Sequence, residues 1–96
     1  MRKFVIAVDE PTREQTRAIS DIFRGKSFGW WHWIAGFWLV SDATDTLTAA
    51  WIRTRVHDAA PLCRNTILQV SPEDWSSFGP AGARHDMGAW LRNTWE

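Results

Sequence analysis

One cysteine, two lysines and no net charge: each of these shortages removes a class of protein. Cys63 has no partner for an intrachain disulfide, so a disulfide-stapled secreted scaffold is excluded and a reducing compartment is expected. His32, His57 and His85 show no metal-ligand spacing, and a lone cysteine offers no zinc site. Eleven basic residues balance eleven acidic ones, which argues against strong nonspecific attraction to a long polyanion. The apolar run Phe4 to Val8, behind Arg2-Lys3, is too short for a signal peptide or a membrane span, so no membrane partner and a cytoplasmic location are expected. There is no Gly-x-Ser-x-Gly, no P-loop and no dinucleotide fingerprint, and Ser76-Ser77 has no readable base. Nucleophilic catalysis therefore lacks support, and no organic cofactor is expected.

What the chain has instead is tryptophan and arginine. Eight tryptophans occur in 96 residues, four of them within Trp30-Trp31-His32-Trp33-Ile34-Ala35-Gly36-Phe37-Trp38. A single domain of this size does not need so much indole for its core, and each buried indole N–H wants a partner. Alternation along a strand sends neighbouring rings to opposite faces: Trp31 and Trp33 to one, Phe28, Trp30 and His32 to the other. Nine of the eleven basic residues are arginine, the side chain suited to planar, bidentate contact with phosphate and to stacking on rings.

No repeat, linker or low-complexity tract divides the chain, so residues 1–96 read as one domain with a core over about 1–71 and a tail over about 72–96. Phe4 to Val8 reads as a buried strand stopped by Asp9-Glu10-Pro11. Thr12-Arg13-Glu14-Gln15 has the form of a capping box, Ala18, Ile19, Ile22 and Phe23 follow helical spacing, and Gly25 is a stop. Phe28 to Trp33 and Phe37 to Ser41 predict a hairpin. After a polar turn, Asp45, Thr46 or Thr48 caps a second helix to about Ala59 that buries Ala49, Ile52, Val56 and Ala59. Thr66 to Val70 is a fourth strand, and the tail turns helical from about Asp86 to Asn93. Strand, helix, hairpin, helix, strand predicts an α+β domain: a ferredoxin-like βαββαβ fold, an antiparallel four-stranded sheet with two helices on one face and a C-terminal helical tail. The other face of the sheet needs a cover, either the tail or a second protomer.

Several pieces carry a family likeness: Phe4-Val5-Ile6-Ala7-Val8-Asp9, Trp30-Trp31-His32, Trp38-Leu39-Val40, Ile52-Arg53-x-Arg55-Val56, Ile67-Leu68-Gln69-Val70, Trp75 and Trp90-Leu91. In that order the chain resembles the SinR-like proteins, small relatives of the dimeric ferredoxin-fold protein of the CRISPR adaptation machinery. The resemblance implies a homodimer with facing sheets. It also implies that the acid ending the first strand, here Asp9, meets its twin across the dimer to hold a metal for nuclease chemistry. Many members are instead scaffolds that hold nucleic acid uncut, so fold alone does not decide activity.

The residues leave three functions open. The leading expectation is a non-catalytic binder of a nucleotide or short nucleic acid, a homodimer or higher homo-oligomer, and its extension is a phage-type protein that captures a nucleotide signal of host defence. Trp51 sits about 100° from the buried stripe of the second helix, flanked by Arg53 and Arg55, so that the indole stacks a base while the guanidinium groups take phosphate. The alternative is that Trp51 packs under the tail. Trp31, His32 and Arg13 complete the candidate ligand set. A second expectation is a metal-dependent nuclease in which Asp9 from two protomers, with Glu10 nearby, binds a divalent ion such as Mg; against it stands Asp9 as a helix cap or strand end. The third is a defence or toxin–antitoxin interaction module whose tryptophans form a protein interface.

Overall fold

Alternating burial along the first strand sets the architecture. In β1 (Arg2–Val8), Phe4, Ile6 and Val8 are buried on one side, while Lys3, Val5 and Ala7 point to the other. The computed structural model describes residues 1–72 and 74–95. It continues with α1 (Arg13–Phe23), β2 (Phe28–Ile34), β3 (Phe37–Asp42), α2 (Ala49–Ala59) and β4 (Asn65–Val70). The strands form one antiparallel sheet in the order β2-β3-β1-β4, with Ile6 opposite Trp38 and Ile67 on its two flanks. The protein is thus α+β, with a four-stranded antiparallel sheet and two helices.

The helices start where the caps predict. Thr12 Oγ1 accepts from the Gln15 amide (3.1 Å) while the Thr12 amide donates to Gln15 Oε1 (2.8 Å), a reciprocal capping box. Thr48 caps α2 through the Trp51 amide. Thr12→Ala is expected to cost about 1 kcal/mol, read as a lowered denaturant midpoint with an unchanged slope. Gly25, at φ 71°, ends α1 where a left-handed residue is needed. Ala18, expected on the buried stripe, faces solvent instead. Ser20 takes the interior because its hydroxyl accepts the Trp38 indole N–H at 3.1 Å.

Both helices lie on one face of the sheet, where Ile19, Phe23, Ile52 and Val56 pack on Phe4, Ile6, Trp38 and Val40. A second apolar cluster covers the other face: Trp31 and Leu39 from the sheet meet Met87, Leu91 and Trp95 from the tail. The chain itself supplies much of that face's cover. Two long-range contacts pin it, Trp31 Nε1 donating to the Met87 carbonyl (2.8 Å) and Lys3 Nζ donating to the Trp95 carbonyl.

The tail departs from the helix expected over Asp86 to Asn93. Asp86 bridges back to Ala81 and its Oδ1 accepts the Gly88 amide (3.0 Å), so the chain turns there before coiling. The coil is a short π-helix, Leu91–Trp95. Its i→i+5 winding brings Trp90 and Trp95, five apart, together with ring centroids 5.7 Å from each other and planes tilted by 37°.

Two short connections hold the frame. Between β2 and β3, Gly36 adopts φ 70° and its carbonyl accepts the Val8 amide at 2.7 Å, locking the hairpin tip to the end of β1. Between β3 and α2, the fully buried Asp42 gathers the turn that follows it. Its Oδ1 accepts from the Thr44 amide (2.9 Å) and hydroxyl (2.6 Å), and its Oδ2 from the amides of Thr46 (2.9 Å) and Leu47 (2.7 Å). Burial pushes this carboxyl up, but the Thr44 hydroxyl and the three amides outweigh burial and hold it at about 2. No helix among the described residues is long and apolar enough to cross a membrane.

Candidate functional site

Phe28 and Trp30 are two residues apart on β2, so both point toward the helices and pack half-buried against the core. At this edge of the sheet α1 ends, and α2, which packs over β4, reaches it through the Trp51 ring. Phe28 meets Phe23 edge-on (6.2 Å) and Trp51 edge-on (6.4 Å), making a row of rings from the core to the surface. Guanidinium groups cover the outer rings: Arg55 lies 5.0 Å from the Trp51 ring centre and Arg24 lies 5.4 Å from that of Trp30. Ile22 and Lys26 complete a shallow depression of about 150 Å3 with Trp51 and Arg55. The depression itself holds Trp51, Arg55 and Lys26; the second indole–guanidinium pair, Trp30 with Arg24, sits two residues along β2 from Phe28, and Arg24 is also held by Asp21 at 2.9 Å.

The expected Trp51, Arg53 and Arg55 trio divides here. Arg55 stacks on Trp51, whereas Arg53 lines a separate depression with Ala49, Ala50 and Asn65 next to β4. Residues two apart on a helix point about 200° apart, so sequence neighbours are not surface neighbours. Trp51 is not under the tail, which lies across the sheet; its ring packs on Phe28 and beneath Arg55.

The remaining candidates scatter. Trp31 is buried in the tail-side cluster, its indole N–H committed to the Met87 carbonyl. His32 points the other way, stacked on Trp38 (4.2 Å, 12° between planes), with Nδ1 donating to the Phe37 carbonyl at 2.9 Å. Arg13 is the exposed first residue of α1.

Asp9 follows the end of β1, and Thr12, not Asp9, caps α1. Arg64 Nε (3.0 Å) and Nη2 (2.6 Å) both donate to Asp9 Oδ2, and the Asp9 amide donates to the Arg64 carbonyl (2.9 Å). The hydrogen bonds and charge of Asp9 raise the Arg64 guanidinium above its ordinary value. A cation seeking Asp9 would have to compete with this guanidinium. Among the described residues, no group of three or more His, Cys, Asp or Glu is placed to hold a metal ion.

Sequence reasoning missed Arg24, Lys26 and Trp30 as members of the basic corner, and Arg64 as the partner of Asp9. The first three follow α1 or open β2, and only the tertiary fold brings Lys26 to the Trp51 depression and Arg24 onto the Trp30 ring. Compared with known proteins, the chain matches no family model, no curated protein and no solved structure.

Proposed function

We propose that this protein is a non-catalytic, homo-oligomeric binder of a nucleotide or short nucleic acid, and that the corner formed by Trp30, Trp51, Arg24, Lys26 and Arg55 is its binding surface. The observation that carries this reading is the pairing of two indoles with two guanidinium groups on adjacent elements. A base that takes the place of a guanidinium on the ring leaves that arginine free for a phosphate oxygen. Zero net charge suits a ligand with few phosphates and a weak salt dependence.

The same proposal includes the finer fold and setting. The element order with sheet order β4-β1-β3-β2 supports a ferredoxin-like assignment, a split βαβ pattern used twice. The SinR-like relationship rests on the residues quoted above. Self-association is supported by Trp33 (41% exposed) and Leu68 (53% exposed), apolar side chains left open on the strands at the two sheet edges. A cytoplasmic location fits the free thiol of Cys63. The Asp9 nuclease has less support, because Arg64 already occupies one carboxylate oxygen.

Intrinsic tryptophan fluorescence titrated with mono-, di- and cyclic nucleotides and short oligonucleotides tests the reading. Binding is expected for at least one class, weakened roughly tenfold by Arg55→Ala or Trp51→Ala. Arg53→Ala should act less, because it lies off the corner. A flat response to the whole panel, with no mass shift in native mass spectrometry, would defeat the proposal. Cleavage that needs magnesium and is lost in Asp9→Ala would replace it with the nuclease.

A further inference from the structure

On the face of the sheet away from the helices, the tail does not close fully onto the strands. A cavity of about 630 Å3 remains between them. Trp31, Phe37 and Leu39 form its floor, and Trp75, Met87 and Trp95 form its roof. The space is partly open to solvent, and its volume falls within the range of about 300–1,000 Å3 typical of small-molecule sites. The contacts that seat the tail also keep the space open. Met87 is held by the Trp31 indole and Trp95 by Lys3, while the Trp31 and Phe37 rings meet edge-on at 6.3 Å instead of filling the gap.

The lining determines what fits. The Trp31 N–H is already committed, so the floor offers ring surface and little hydrogen bonding. At the rim stand Ser76, Ser77 and the exposed carboxylate of Asp74; among the described residues no lysine or arginine belongs to the lining, and the neighbouring Lys3 has its ammonium engaged by the Trp95 carbonyl and ring. Aromatic walls with the Asp74 carboxylate at their rim favour a flat, apolar body carrying a positive end over a phosphate. The occupant therefore differs from the ligand of the basic corner across the sheet.

We propose that the cavity under the tail is a binding site for a small aromatic amine, its ring between Trp31 and the roof tryptophans and its ammonium group at Asp74. Three probes of one shape and different charge test this: 1-naphthylmethylamine, 1-naphthalenemethanol and 1-naphthoate, each titrated calorimetrically into the full chain. The amine is expected to bind most tightly and the acid most weakly. Asp74→Asn, an exposed and structurally mild change, should weaken the amine about three- to fivefold and bring it level with the alcohol. Leu39→Phe, which fills part of the floor, should weaken all three; if it does not fold, the Asp74→Asn comparison still decides. Arg55→Ala should change none of them. Failure of all three probes to bind at millimolar concentration overturns the site. An acid that binds as well as the amine, or an amine indifferent to Asp74→Asn, overturns the assigned chemistry.

Discussion

Asp42→Asn is expected to cost about 3 kcal/mol, lowering the melting temperature by roughly 15 °C. The buried carboxylate accepts four hydrogen bonds, two on each oxygen. An amide keeps only one acceptor oxygen. Its NH2 group would face either the Thr46 and Leu47 amides or the Thr44 amide and hydroxyl. Buried donors left facing donors carry their full desolvation cost, and bonds to a charged acceptor are about twice as strong as neutral ones. For a domain whose total stability is on the order of 5–10 kcal/mol, this is a large fraction.

The pH dependence isolates the cause. The folded carboxyl sits at about 2, below its ordinary 3.8, so its contribution is present above the unfolded value and is lost as pH falls toward 2. Chemical denaturation of both proteins from pH 6 down to pH 2 should show the gap between them narrowing by about 2 kcal/mol, almost all of it below pH 4. A gap independent of pH would mean that asparagine acts through shape and not through the lost charge.

Gly36→Ala is the second large effect, about 3 kcal/mol. Any side chain at φ 70° is strained by about 1–2 kcal/mol. A Cβ there would also press far inside van der Waals distance of the Val8 carbonyl oxygen, backbone that has no rotamer to escape into. The hairpin tip must then lift, breaking the bond from the Val8 amide to the Gly36 carbonyl. Equilibrium urea unfolding measures the loss. Gly25→Ala is the control, since it shares the left-handed backbone but has open space around it, so it should cost only the strain.

Local chemistry made most of the fold readable. Thr12 with Gln15, Thr48, the apolar alternation of β1 and the turn at Gly36 each depend on neighbours within a few residues, and the element order follows from them. The tail was not readable, because what shapes it lies far away in sequence. Met87 is set by an indole 56 residues earlier, and Trp95 by a lysine 92 residues earlier. Asp42 is an intermediate case. Its partners all lie within five residues, and the Asp-x-Thr-x-Thr pattern carries the signal of an acid that organises its own turn. Trp51 stands apart from the buried stripe in the sequence, with Arg53 and Arg55 both beside it, and the helix phase singles out Arg55, four residues on, as the one that reaches its ring. Arg24 and Trp30 needed the tertiary fold, since nothing in the spacing of α1 and β2 says which ring a guanidinium will reach.

The tail covers the sheet through contacts that ignore chain connectivity between Val70 and Ala81. Trp31 needs a carbonyl at Met87 and Lys3 needs one at Trp95, but neither requires that these come from the same polypeptide. Two copies that trade tails would reproduce both contacts and the whole second apolar cluster, with only the link after β4 changing course. A closed monomer and an exchanged pair then differ mainly in the entropy of association and in the strain of that link. Protein concentration and the conformation of Ser71-Pro72, more than any new interface, would set the balance between them.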